Sequence, residues 1–208
     1  MRGQFSYWPS CTDPAAKMLY PAGDSSAYTL QSMVDEYVVS HVSGLTALHA
    51  GVLVRDNAAL LLPGQSHAGK STLVQQLIRD GWLYYSDEYA FLDNDARVHP
   101  YPRTMFVRDA QGESQAVPVS TPAGGPAVPV RAVVELRYAA DAHFTVTPVP
   151  QSEAVIRLLK NTPRELEQDV EVFSRMVALA SRGNYFTGVR GEAALAADEL
   201  LRLFEGLA

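Results

Sequence analysis

Cys11 is the only cysteine in 208 residues, so no internal disulfide can form and no thiolate cage can hold a metal. Positive charge is also short: 17 Lys and Arg face 23 Asp and Glu, a net charge of −6. That excludes the basic footprint of a nucleic-acid-binding surface. No uninterrupted apolar stretch approaches the ~18 residues of a spanning helix. Met1-Arg2-Gly3-Gln4-Phe5-Ser6 opens no signal-peptide apolar core. The expectation is a soluble, cytoplasmic protein with neither nucleic acid nor membrane as partner. Hydrophobic residues make up 47% of the chain, enough for one sizeable core. With no internal repeat and no strong boundary, a single domain over 1–208 is expected, and a homo-oligomer is compatible with it.

Against these absences stands one nine-residue stretch, Gly64-Gln65-Ser66-His67-Ala68-Gly69-Lys70-Ser71-Thr72. It fits the P-loop pattern, with Gly64, Gly69, Lys70 and Ser71 in the required places. An apolar run, Ala58 to Leu62, precedes it, and Leu73, Val74, Leu77 and Ile78 follow at helical spacing. Strand, loop and helix are the context in which the motif has meaning. Glycines let the backbone turn its N–H groups toward an anion, and the following helix adds its positive end. Lys70 is placed for the β- and γ-phosphates of a nucleotide, and the Ser71 hydroxyl for Mg²⁺.

Two flanking features point at the same place. Gly51 to Arg55 and Ala58 to Leu62 are strand-like runs joined by Asp56-Asn57, a turn signal. A two-residue turn pairs Arg55 with Ala58, Leu53 with Leu60 and Gly51 with Leu62. Extending that ladder sets His49 opposite Gly64, either beside the phosphate site or as a satisfied histidine at a strand start. Downstream, the helix after the loop ends at Gly81. Trp82 to Tyr85 is an apolar strand that delivers Ser86-Asp87-Glu88. Seventeen residues from Lys70 to Asp87 suffice for one helix and one short strand, so the acids return to the phosphate end. This is a Walker B arrangement, with one candidate Mg²⁺ ligand and one candidate base; a surface pair at a strand end is the alternative.

The rest of the chain is read more coarsely. Residues 1–29 form irregular cover with a short edge strand near Phe5 and Tyr7. Thr29 caps a helix that runs toward Gly44. Tyr89 to Leu92 and Arg97-Val98 flank a turn at Asp93-Asn94-Asp95. The stiff His99-Pro100-Tyr101-Pro102-Arg103 segment ends in a cation, for a phosphate or for solvent. Residues 109–130, rich in Gly and Pro, read as one long loop, a substrate-facing lid or a plain surface loop. Arg131 to Tyr138 is a strand that carries Glu135 and Arg137 on one face. A strand near Phe144 to Val149 and a helix from Ser152 to Lys160 come next. Thr162-Pro163-Arg164-Glu165 is a capping box that opens a long helix ending at Gly183. Tyr185 to Val189 is a last strand, and Gly191 to Glu205 a closing helix.

Leu48-His49-Ala50-Gly51, the hairpin, the P-loop, Gly81-Trp82, Ser86-Asp87-Glu88 and Tyr101-Pro102-Arg103 together resemble the catalytic domain of HPr kinase/phosphorylase. In particular they resemble its shorter relatives that lack the larger enzyme's N-terminal domain. The resemblance covers residues 45–105 well and the rest in element order. It implies an α/β P-loop domain of the HPr kinase and phosphoenolpyruvate carboxykinase type, with the P-loop strand in a β-hairpin. It also implies ATP- and Mg²⁺-dependent phosphorylation of a hydroxyl on a protein, a peptide in natural-product maturation, or a small molecule. By the same resemblance Asp87 is the base and His49 its neighbour, while Glu88 and Ser71 hold the metal. Glu135-Leu136-Arg137 loosely resembles the family's glutamate-x-arginine strand, although Tyr138 stands where a glycine belongs. His67 stands in the loop where a small residue is common. The rival class is a nucleotide-operated switch or NTPase, which needs only one Walker B carboxylate; Asp87-Glu88 favours the kinase.

Overall fold

Asp56 and Asn57 both adopt left-handed backbone, φ 49° and 56°, in the computed structural model. Two such residues make the turn whose twist matches a hairpin. They fold β3 (Thr46–Arg55) onto β4 (Ala58–Pro63) in the expected register, Arg55 with Ala58 through Ala50 with Pro63. Every residue of β4 is buried, as a strand covered on both faces must be.

The structure describes residues 4–7, 18–21, 25–64, 69–101, 103–108, 114–119, 125–163 and 169–207. They sort into two compact units, residues 1–42 with 103–118, and residues 43–102 with 119–208. In the first unit β1 (Gln4–Tyr7) pairs antiparallel with β2 (Met18–Pro21), and α1 spans Ser25–His41. Part of the irregular cover expected over 1–29 is therefore a strand and the start of a helix. Thr29 lies inside α1 rather than at its cap. The helix starts at Ser25, inside a stretch whose Pro, Gly, Ser and Asp read as loop.

The second unit holds α2 (Lys70–Arg79), β5 (Leu83–Ser86), β6 (Tyr89–Leu92) and β7 (Arg97–His99). The first unit resumes with β8 (Met105–Arg108) paired to β9 (Ser114–Val117). The second then continues with β10 (Val128–Tyr138), β11 (Thr145–Pro148), α3 (Gln151–Lys160), α4 (Val170–Arg182), β12 (Asn184–Arg190) and α5 (Ala193–Glu205). The loop expected over 109–130 thus contains β9 and the first residues of β10. Val128 and Pro129 pair with Val98 and Arg97 of β7, and local Gly/Pro content could not reveal that long-range partner.

The sheet order is β11-β12-β10-β4-β3-β6-β7, with β5 also on β3. Because the start of β10 returns to β7, the strands β3, β6, β7, β10 and β4 close a ring. Strand β10 runs parallel to β4 and to β12, so three strand C-termini meet at one end. One sheet face packs Val52, Val54, Leu61 and Val133 against α3 and α4. The other carries α2 and α5, whose Leu73, Val74, Leu77, Leu200 and Phe204 are buried.

Helix α4 begins at Val170, where the Asp169 side chain accepts from the Glu171 N–H at 2.8 Å. The capping box at Thr162 is therefore not its start. The Thr162 hydroxyl instead donates to the Leu159 carbonyl at 2.6 Å, closing the end of α3. Arg164 and Glu165 lie outside the described residues.

Gly51 sets how closely α2 approaches the sheet. A Cβ there would lie 2.8 Å from Val74 Cγ2 and 3.7 Å from Lys70 Cγ. Gly51→Ala should therefore cost about 1–3 kcal/mol through overpacking. Urea denaturation measures it, and an unchanged midpoint would show that Val74 yields freely.

Candidate functional site

The motif begins where β4 ends. Pro63 has no N–H with which to extend the ladder, and the chain leaves the sheet at Gly64. Gln65, Ser66, His67 and Ala68 lie outside the described residues. The chain is described again at Gly69, whose φ of 71° is left-handed, and α2 starts at Lys70. Among the described residues no side chain caps this helix and no acid stands in its first turn, an arrangement that suits an anion at its positive end. The Lys70 ammonium donates to the Gly64 carbonyl at 3.2 Å, tying the two ends of the loop together. Ser71 is half-buried and Thr72 exposed in the first turn.

The acidic end is built on β5. Ser86 Oγ accepts from the Glu88 and Tyr89 N–H groups at 3.3 and 3.1 Å, which turns the chain sharply from β5 into β6. Asp87 sits in that turn and is buried, and the Tyr84 hydroxyl donates to its Oδ1 at 2.7 Å. The Glu88 carbonyl accepts from the Ala50 N–H at 3.1 Å, which anchors the turn to β3.

His49 departs from its expected place. The β3–β4 ladder stops at Ala50 and Pro63, one pair short of His49 and Gly64, and the His49 N–H donates to the Asn161 carbonyl at 2.7 Å. On its other edge β3 passes from β5, at Val52–Val54, to β6, where His49 pairs with Tyr89. The imidazole Nδ1 lies 3.3 Å from Glu88 Oε1, and its ring packs on Tyr89 at 4.4 Å between centroids. So His49 supports Glu88, whereas Asp87 is held by Tyr84. Each of the two carboxylates has its own orienting partner.

Glu135 and Arg137 share a face, as alternation predicts, and both line an open cleft of about 550 Å³ together with Gly64, Thr147 and Thr187. Glu135 is engaged structurally: its Oε2 accepts from Arg157 and from the Tyr185 hydroxyl, both at 3.0 Å. Burial, reinforced by the Glu135 charge, holds the Tyr185 hydroxyl far above its ordinary pKa. Arg137 is exposed at the rim. Arg103 belongs to the first unit, where it is buried and pairs with Asp35 at 2.9 Å. The solvent-facing reading of Arg103 does not hold.

One residue that the sequence reading missed stands at the loop. Arg190 ends β12, is buried, and donates through Nη2 to the Gly69 carbonyl at 2.7 Å. Its only local signal is an arginine closing a strand between Gly188 and Gly191.

No family model matches this sequence. No curated protein matches it either. Among solved structures, the Hpr(Ser) kinase/phosphatase from Coxiella burnetii is similar over 76% of this chain and 97% of that one. The identity is 15% and the TM-score 0.38, a likeness that says nothing of substrate or reaction.

Proposed function

We propose that this protein is a kinase that uses ATP and Mg²⁺ to phosphorylate a hydroxyl, that of a serine in a protein or peptide. The observation that carries this reading is Asp87, a buried carboxylate fixed by Tyr84 on a strand beside the hairpin that leads into the loop. A switch needs one acid to order a metal. Here a second, Glu88, meets His49 at 3.3 Å, so that one acid can serve the metal and the other, Asp87, the proton.

The residues present fit a nucleotide. The uncapped start of α2, the left-handed Gly69 and the Lys70 ammonium all favour a polyphosphate. Ser71 and Glu88 would hold Mg²⁺, which needs only one or two protein oxygens beside phosphate and water. When bound, the metal neutralises charge on the β- and γ-phosphates. Asp87 would take the proton of the acceptor hydroxyl as its oxygen bonds to the γ-phosphorus. The bond to the β-phosphate oxygen breaks, and ADP leaves. Lys70 would stabilise the charge that develops on the transferring group. Positioning and electrostatics supply most of the rate, since phosphoryl transfer asks little covalent chemistry of the protein.

The test is incubation with Mg·ATP and a panel of serine-containing peptides and carrier proteins, with ADP and phosphorylated product counted together. Matched amounts of the two support the kinase. ADP with free phosphate and no labelled acceptor would favour the NTPase or switch.

Ser71→Ala should raise the Mg²⁺ concentration needed for half-maximal nucleotide binding several-fold while leaving the melting temperature nearly unchanged. The side chain is half-buried in the first turn of α2, and removing one small hydroxyl from such a position usually costs a fold little. A Mg²⁺ titration superimposable on wild type would remove Ser71 from the metal site.

A further inference from the structure

We infer that Arg190 is a positioning residue of the nucleotide loop, aiming the Lys70 amide at the phosphates by holding the Gly69 carbonyl. This rests on the nucleotide reading above. Arg190 stands at the C-terminal end of β12, opposite Tyr138 at the end of β10. It is only 3% exposed, and its guanidinium lies over the Tyr138 ring at 5.2 Å. Nη1 donates to the Gly191 carbonyl at 2.8 Å, and Nη2 to that of Gly69.

A buried arginine ordinarily has a carboxylate partner. Among the described residues none pairs with Arg190. The acid two residues on, Glu192, accepts from the Tyr138 hydroxyl at 3.0 Å instead. The cation is therefore kept at the positive end of α2, held by two carbonyls and an aromatic ring and paired with no carboxylate among the described residues. Burial pulls its pKa below the ordinary arginine value, the direction expected of a desolvated cation. A polyphosphate at the start of α2 would supply the missing counter-charge.

The geometry gives the contact a second consequence. In a trans peptide the carbonyl and the following N–H point opposite ways, so fixing the Gly69 oxygen also fixes the Lys70 N–H. The Gly69 oxygen lies against Arg190, and the Lys70 N–H consequently faces away from it. The Leu73 N–H reaches the same oxygen at 3.3 Å, so Arg190 adds a second donor to a helical bond. A Cβ on residue 69 would lie 2.6 Å from Arg190 Nη2, so a larger residue there would push the guanidinium aside besides straining the left-handed φ.

The experiment compares wild type with Arg190→Gln and Arg190→Lys by calorimetric titration with Mg·ATP and with inorganic tripolyphosphate, beside the melting temperature without ligand. Tripolyphosphate isolates the phosphate contacts from those to the nucleoside. Arg190→Gln should weaken both ligands by the same factor, about 10- to 100-fold, as expected for a lost charge-assisted bond. Arg190→Lys, which keeps the charge without the two-pronged fork, should recover part of that loss. Wild-type affinities in a destabilised Arg190→Gln protein would make Arg190 a strut between β12 and α2 and overturn the inference. So would failure of both variants to fold. If wild type itself binds neither ligand, the nucleotide reading falls first, before any variant is compared.

Discussion

Asp87→Asn should leave Mg·ATP affinity close to wild type while phosphoryl transfer falls by roughly 10²–10⁴-fold, the usual contribution of a positioned general base. Asparagine has the shape of aspartate, and its amide oxygen can still accept from the Tyr84 hydroxyl, which now meets Asp87 Oδ1 at 2.7 Å. What is lost is the charge and the ability to take a proton. Tyr84→Phe is the matching control: it frees the carboxylate's orientation without removing it and should cost less than Asp87→Asn. His49→Ala should behave differently again, because its imidazole contacts Glu88. Its effect should appear in the metal requirement and should combine with Glu88→Gln less than additively, as neighbours in one unit do. Were Asp87 a metal ligand instead, Asp87→Asn would weaken Mg·ATP binding about as much as it slows transfer. Parallel losses in titration and in rate would move the base to Glu88.

The sequence was informative about this site wherever a local rule sufficed. Two turn residues, Asp56-Asn57, determine the hairpin register, because a two-residue loop leaves one pairing with matching twist. One helix and one short strand bring Asp87 and Glu88 into the turn after β5, because their lengths leave little slack. What was not legible depends on partners distant in the chain. The extended ladder goes one step too far at His49, since nothing local shows that β4 leaves β3 after Pro63 and that the His49 N–H turns to the Asn161 carbonyl. Thr162 has the chemistry of a helix start, yet its hydroxyl closes the preceding helix; the same oxygen suits either end. The start of β10 hid in a Gly/Pro-rich run because its partner is β7, some thirty residues earlier. Arg190 is the most consequential omission. It contacts Gly69 from 121 positions away, and an arginine between glycines reads locally as surface.

Lys70→Ala should cut transfer by at least about 10³-fold and weaken ATP binding, with little change in folding stability. Lys70 is the first residue of α2, where alanine is the better helix former, and its ammonium donates to the Gly64 carbonyl at 3.2 Å. A bond of that kind contributes about 1 kcal/mol, partly offset by helix propensity. The reaction has a larger need of this side chain. In the transition state negative charge spreads over the oxygens of the transferring group. A cation fixed beside them, in a site with little water, acts more strongly there than on the ground-state nucleotide. Arg190 does not replace it, because its guanidinium is occupied by the Gly69 and Gly191 carbonyls. Lys70→Arg should not restore the rate either, since a planar fork does not reproduce the compact point charge of an ammonium. Transfer rate, ATP affinity and melting temperature measured on one preparation decide the matter. A folded Lys70→Ala protein that turns over within a few-fold of wild type would end the phosphate-loop assignment, and the kinase reading with it.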